Sequence, residues 1–278
     1  MSYKTILVHI DSSPRCAARV EVGVELARRF DAHVVGLAAT GDAQAALAFT
    51  APVAVDVIEQ LRANLAATAH EAIDGFNATI ARSGYGRHEQ RTSSLDAIDA
   101  VALHARYADL VVVGQADDGG PHAASTRMFV ERTILGSGKP TLIVPRAGSF
   151  KAVGKNIMVG WDASRSAARA VTDSLPLLRK ADNVEVIVVN ARSSGEGHGD
   201  DPGVDVATYL ARHGVKVSVR QQVSDIDIGN TLLSHAFDIG ADMLVMGGYG
   251  HSKLRELVMG GATRSLLSQM TIPVLMSH

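Results

Sequence analysis

Cysteine is almost absent from this sequence of 278 residues, in which Cys16 is the only one. A single thiol excludes an internal disulfide and a thiolate-ligated metal cluster, and it suits a reducing compartment. We therefore expect a cytoplasmic protein in which Cys16 is a small helix residue. No apolar run approaches the ~20 residues that span a bilayer. The first residues also lack the basic segment and long apolar run of a secretory signal, so neither a membrane span nor export is expected.

An excess of charge of either sign is also missing. Lys and Arg number 27 against 29 Asp and Glu, which gives a formal net charge of -2. Proteins that bind nucleic acid or anionic membranes concentrate cations to displace counterions, so we expect neither partner. Because 46% of the residues are hydrophobic, the chain has ample material for packed cores, and its length favours two domains.

An internal repeat runs through the chain. The segment TILVHIDSS at 5–13 is echoed by NIMVGWDAS at 156–164, and an Ala-rich stretch follows each. Later segments match as well: ADLVVVG at 108–114 with ADMLVMG at 241–247, and PTLIV at 140–144 with PVLMS at 273–277. The later pairs align without a gap. A duplicated domain explains these matches, with copies at 1–148 and 153–278 joined across 146–155.

Each copy has the pattern of an α/β domain. In the second copy, short apolar strands are predicted at about 156–161, 184–190, 215–223, 242–247 and 273–277, with helices between them. One helix face should carry Val171, Leu175 and Leu178, and another Leu232, Ala236 and Ile239. Strands that are apolar at nearly every position indicate an open, mostly parallel sheet covered on both faces. The first copy repeats the plan with a longer helical region, roughly 55–83, which we interpret as an insertion.

The end of the predicted first strand and the end of the fourth should meet at a ligand crevice. With strand order 3-2-1-4-5, the crevice lies between these strands, beyond their carboxyl ends. Asp162 follows the first strand, and Gly247 ends the fourth. A glycine-rich segment then leads to a last helix that begins at Gly260, Gly261, Ala262 and Thr263. Free amides at such a helix start favour phosphate, although a glycine-rich turn without a ligand is an equally open interpretation.

The order and spacing of these motifs resemble the universal stress protein family, specifically its tandem members, over nearly the whole chain. The family's ATP-binding signature is glycine, two residues, glycine, nine residues, glycine, then Ser or Thr. Gly247, Gly250 and Gly260 fit it, whereas Gly261 replaces the hydroxyl residue. The resemblance implies that Asp162 contacts adenosine and that the backbone at Asn190 and Ala191 meets adenine.

The first copy keeps only part of that signature. Gly114 is retained, but Asp117, Arg127 and Met128 stand where the second copy has Gly250, Gly260 and Gly261. An acid repels phosphate, and the two larger side chains obstruct a close backbone approach. We therefore expect no ATP binding of this kind in the first copy. Asp11, like Asp162, could instead cap a helix or hold a turn.

The resemblance implies an ATP-binding stress protein that acts as a regulator or signalling module, with an unidentified protein partner. The alternative is a nucleotide-free interaction module. His251 and Arg264 are secondary candidates for phosphate contacts, and Mg²⁺ would arrive with ATP, held mainly by phosphates. Because no nucleophile, base or carboxylate pair surrounds the glycine loop, we expect at most slow hydrolysis. Family members dimerise through the final strand, which implies an intramolecular pseudo-dimer through 141–144 and 274–277, with room for further self-association.

Overall fold

The computed structural model describes residues 2–41, 55–117, 119, 123–191, 201–249 and 261–278. The chain divides into two compact units, the first spanning residues 3–114 and the second containing residues 115–278. The predicted boundaries at 1–148 and 153–278 divide the chain by its sequence repeat, whereas these units divide it by packing. The predicted boundaries therefore stay a prediction. By sequence, residues 115–148 belong to the first copy, yet they pack with the second.

The first unit is a four-stranded parallel sheet with three described helices. Its elements are β1 (Thr5–Ile10), α1 (Cys16–Phe30), β2 (His33–Ala39), α2 (Val55–Ser83), β3 (His88–Ser93), α3 (Ala97–Ala105) and β4 (Leu110–Gly114). The strand order is β3-β2-β1-β4, with every neighbouring pair parallel. Cys16 is a buried residue at the start of α1, as predicted.

The predicted helical region at 55–83 is the single helix α2, of 29 residues. It buries one face, on which Ala69, Ala72, Phe76 and Ile80 recur at helical spacing. The Phe76 ring packs directly over Gly36 of β2, where an added Cβ would lie 2.8 Å from the ring. A glycine in the strand therefore makes the space that this aromatic side chain fills.

The second unit contains a sheet of six strands. Its elements are α4 (Ala123–Gly136), β5 (Thr141–Val144), β6 (Asn156–Gly160), α5 (Arg165–Leu178), β7 (Asn183–Val189), α6 (Val204–Arg212), β8 (Val217–Gln222), α7 (Ile228–Asp238), β9 (Met243–Gly247), α8 (Gly261–Gln269) and β10 (Val274–Ser277). The parallel order β8-β7-β6-β9-β10 confirms the predicted 3-2-1-4-5. The predicted pairing of the two final strands is also confirmed, because β10 pairs antiparallel with β5.

The predicted helix faces are confirmed except at one position. Val171, Leu175 and Leu178 of α5 are all buried, as are Leu232 and Ala236 of α7. Ile239 is 37% exposed, so its assignment to the buried stripe was wrong. The reason is that α7 ends at Asp238 and the chain turns away through Gly240, whose φ is +63°.

The expectation that helices cover both faces of every strand fails for β8, most of whose residues are exposed. This strand is the edge of the second unit's sheet and hydrogen-bonds only to β7. An edge strand with polar side chains resists pairing with other chains. Within the described residues, no helix is long and apolar enough to cross a membrane.

Candidate functional site at the carboxyl edge of the second sheet

Gly247 lies directly against the first turn of α5. The strands β6 and β9 are parallel neighbours, with Gly160 opposite Met246, so the residues that follow Gly160 and Met246 leave the sheet side by side. A Cβ placed on Gly247 would lie 2.6 Å from Ser166 Oγ and closer still to the backbone nitrogen of Ala167. The predicted meeting of the first and fourth strand ends is confirmed.

Asp162 holds the turn between β6 and α5. Its Oδ1 accepts a hydrogen bond from the Ser164 amide at 3.0 Å, and Ala163 adopts a φ of +57°. The helix cap is Ser164 and not Asp162, because Ser164 Oγ accepts from the Ala167 amide at 3.1 Å. Of the two structural roles considered for Asp162, the turn is present and the cap is not. Contact with adenosine stays a prediction for this exposed residue.

Asn190 ties the end of β7 to the chain beyond β8. Its Nδ2 donates to the Ser224 carbonyl and its Oδ1 accepts from the Ser224 amide, each at 2.8 Å. The side chain is therefore occupied, and the Asn190 amide donates to the Gln222 carbonyl at 2.9 Å. Contact of the backbone at Asn190 and Ala191 with adenine stays a prediction. Asn190 has a φ of +55°, and Ala191 follows it as a half-buried residue.

The polar contacts continue from the β7 end to α7. Ser224 Oγ lies 2.8 Å from Thr231 Oγ1, and Asp227 caps α7 by accepting from the Asn230 amide. Two residues before Thr231, Gly229 allows α8 to approach: an added Cβ would lie 2.7 Å from the Ala262 carbonyl oxygen. Helix α7 therefore contacts two parts of the candidate site. It touches Ser224, beside the predicted adenine contact, and Ala262 in the first turn of α8, where the phosphates are predicted to bind.

The first three residues of α8 are Gly261, Ala262 and Thr263. Gly261 is exposed, and a Cβ built on it meets nothing within 4 Å among the described atoms. Thr263 is only 5% exposed. Three other predicted site residues, Gly250, His251 and Gly260, lie outside the described residues.

Tyr249, which the sequence pattern did not single out, is a buried aromatic residue directly after the end of β9. It follows Gly247 and Gly248, has a φ of +61° and is only 9% exposed. Burial, and then the carboxylate of Glu131, raises the pKa of the Tyr249 hydroxyl well above its ordinary value. A bulky side chain in the left-handed region costs conformational energy. The signal in the sequence was an aromatic residue flanked by glycines.

In the first unit, an arginine occupies the space beside the corresponding glycine. Gly114 is the counterpart of Gly247, and a Cβ on it would lie 2.5 Å from Nη1 of Arg19. Arg19 is 3% exposed, and its Nη2 lies 2.7 Å from Oδ1 of Asp11. In the register of the repeat, the second copy has Ala170 at the position of Arg19. This contact from α1 was not predicted from the sequence, where only residues after β4 distinguish the first copy.

His9 completes a buried charged cluster with Asp11 and Arg19. The pKa of His9 is lowered from 6.5 to about 4, mainly by burial and then by the charge of Arg19, while the carboxylate of Asp11 opposes the shift. For Asp11, burial raises the pKa, but Arg19 together with His9 and a hydrogen bond from Ser13 lowers it overall, well below its ordinary range. Asp11 also accepts from the Ser13 amide at 3.0 Å, so it holds a turn as expected.

Acid is expected to destabilise the first unit through His9. Since the folded pKa lies below the unfolded one, the unfolded chain binds more protons between pH 6.5 and 4. The contribution of His9 to the free energy of unfolding is fully present above pH 6.5 and is lost as the pH falls towards 4. At pH 5 the free energy of unfolding is expected to be lower by about 2 kcal/mol. His9→Gln should remove this part of the pH dependence in urea unfolding followed by circular dichroism. The exposed His70 supplies the control, His70→Gln. An unchanged pH dependence in His9→Gln would contradict the assignment.

Within the described ranges, no three His, Cys, Asp or Glu residues are grouped so that they could hold a metal ion.

Comparison with known proteins gives a family match for residues 154–278 and a fold for almost the whole chain. Residues 154–278 match the universal stress protein family. A universal stress protein of Synechocystis sp. is 24% identical over 172 residues, which covers 60% of this chain and 57% of the relative. The chain therefore spans less than two thirds of that relative's length.

Two solved structures match almost the entire chain. A universal stress protein from Archaeoglobus fulgidus DSM 4304 has a TM-score of 0.71 at 14% identity, covering 98% of this chain and 94% of its own. A functionally unknown protein from Pseudomonas aeruginosa PAO1 has a TM-score of 0.59 at 13% identity, covering 98% and 92%. At these identities the likeness establishes the fold.

Proposed function

We propose that the second unit, whose residues 154–278 match the universal stress protein family, binds ATP at the carboxyl edge of its sheet. The triphosphate would lie on the amides of Gly261, Ala262 and Thr263, where the helix dipole also favours negative charge. Asp162 would contact the adenosine, and the backbone of Asn190 and Ala191 would meet the adenine. Mg²⁺ would be held mainly by the phosphates.

The open space beside Gly261 is the observation that carries this proposal. No described atom lies within 4 Å of a Cβ built there, so a phosphate can approach the backbone at the helix start. The close contact of Gly247 with α5 supports it, because a side chain at Gly247 would displace the turn that holds Asp162. In the first unit the close neighbour of the corresponding Gly114 is instead the charged Nη1 of Arg19.

ATP titration by calorimetry tests the proposal. We expect saturable binding with one site per chain, and a loss of at least tenfold in affinity in Gly260→Asp, because the acid repels phosphate. Gly136→Asp is a matched control: it adds the same charge at another exposed glycine, where a Cβ meets nothing within 4 Å. Gly261→Ser restores the family's hydroxyl in open space and should tighten binding severalfold.

Unchanged ATP affinity in Gly260→Asp, or an equal loss in Gly136→Asp, would contradict this placement. Complete absence of binding to the wild type would favour the nucleotide-free interaction module. That alternative is favoured by one feature of the sequence, the glycine at position 261 in place of a hydroxyl residue.

A regulatory role follows if ATP changes the surface around α8. This helix packs against α7 through Gly229, so ordering of its first turn would reach α7 and the network at Ser224. Hydrogen exchange with and without ATP is expected to show protection at the start of α8 and in α7. A protein partner would then be sought with the ATP-loaded chain, using Gly260→Asp as the unloaded comparison.

A further inference from the structure

A second cavity in the same unit lies between α4 and α8, with a volume of about 310 Å³. Its walls include the apolar side chains of Val130, Ile143 and Leu267 and the arginines Arg127 and Arg264. In the sequence, Arg127 counted only as an obstacle to ATP binding in the first copy, and Arg264 only as a secondary phosphate contact. The structure instead places both beside one cavity.

Gln115 builds one wall of this cavity. Its Nε2 donates to the carbonyl oxygens of Leu267 and Ser268, at 2.9 and 3.1 Å, and its Oε1 accepts from the Arg146 amide at 3.0 Å. The residue is only 9% exposed. These bonds fix the end of α8 to the chain around Gln115 and Arg146, so the cavity has a wall that is already ordered.

The two arginines leave positive charge at the cavity. Arg127 is half-buried and Arg264 is exposed, and across the described ranges neither forms an ion pair with a carboxylate. Two like charges at one site repel each other, and an anion between them relieves the repulsion. Planar guanidinium groups match the oxygens of carboxylates and phosphates.

We propose that this cavity binds a small organic anion, with a carboxylate or phosphate group on Arg127 and Arg264 and a short apolar body against Val130, Ile143 and Leu267. The volume lies at the lower end of the range for small-molecule sites. The site is separate from the proposed ATP crevice and does not depend on it.

Calorimetry on the full chain tests this with two anions, benzoate and phenyl phosphate, and the neutral benzamide. We expect both anions to bind and benzamide not to. Arg127→Gln and Arg264→Gln should each weaken anion binding about tenfold, because each removes a charged hydrogen-bond donor. Arg132→Gln is the matched control, since Arg132 is an exposed arginine of the same helix. Saturating ATP should leave phenyl phosphate binding in place, and Arg127→Gln should leave ATP affinity unchanged.

A further variant, Ala116→Leu, fills the cavity without altering charge, since Ala116 also lines it. It is expected to abolish anion binding. If circular dichroism shows that an arginine variant is misfolded, Ala116→Leu still tests the site. Equal binding of benzamide, or anion binding that survives loss of both arginines, would overturn the proposal. So would complete displacement of phenyl phosphate by ATP, because the cavity would then be part of the nucleotide crevice. Failure of ATP to bind at all leaves this test intact.

Discussion

Alanine at position 247 is expected to lower the free energy of unfolding of the second unit by about 2 kcal/mol, and valine by about 3 kcal/mol. The added Cβ would overlap Ser166 Oγ, at 2.6 Å, and the Ala167 backbone. A flexible side chain can move aside, but the first turn of a helix cannot move without disturbing its cap. In this case the cap is Ser164, bonded to the Ala167 amide.

Urea unfolding followed by tryptophan fluorescence measures this effect. The chain has one tryptophan, Trp161, which follows β6 and bonds to the Ile187 carbonyl, so its signal reports on the second unit. Gly261→Ala is the control, because the same methyl group there meets open space. If Gly247→Ala unfolds at the same urea concentration as the wild type, the close packing of β9 on α5 is wrong.

Asp11→Asn is expected to destabilise the first unit by about 3 kcal/mol, since it leaves the charge of Arg19 buried without its carboxylate. The Arg19 side chain is 4% exposed, and its Nη2 lies 2.7 Å from Asp11 Oδ1. The matched control is Asp31→Asn. Asp31 pairs with Arg87, and both side chains are more than half exposed, so the loss there should stay below about 1 kcal/mol.

Removal of the cation should reverse most of that effect. In the double variant Asp11→Asn with Arg19→Met, no uncompensated charge remains in the buried cluster, and a methionine can fill the space. Circular dichroism during urea unfolding of the single and double variants gives the coupling between the two residues. No recovery in the double variant would show that Asp11 acts through its turn at Ser13 rather than through the ion pair.

The fold was predictable from the sequence because the duplication repeats each strong signal. The motifs at 5–13 and 156–164 mark the first strand of each copy, and the repeats that end at Gly114 and Gly247 mark the fourth. The exposed β8 and the misplaced Ile239 were not predictable. Whether an apolar residue is buried depends on whether its strand lies at the edge of the sheet and on where its helix ends. Both depend on the whole fold.

The candidate site was predictable as a set of backbone positions and much less as a set of side chains. Glycine spacing located Gly247 and the start of α8, because a glycine signals close approach. The occupation of the Asn190 side chain by Ser224, the burial of Tyr249 and the filling of the first crevice by Arg19 all require contacts between distant segments. One sequence without relatives carries no signal for such contacts.

The antiparallel pairing of β5 with β10 joins, within one chain, strands that the two copies contribute. In an assembly of identical chains, a substitution such as arginine for alanine in the first helix would appear in every copy and close every crevice together. Covalent duplication removes that constraint. One copy can carry a buried arginine paired with an aspartate where the other has an alanine, so each can accumulate changes under its own selection.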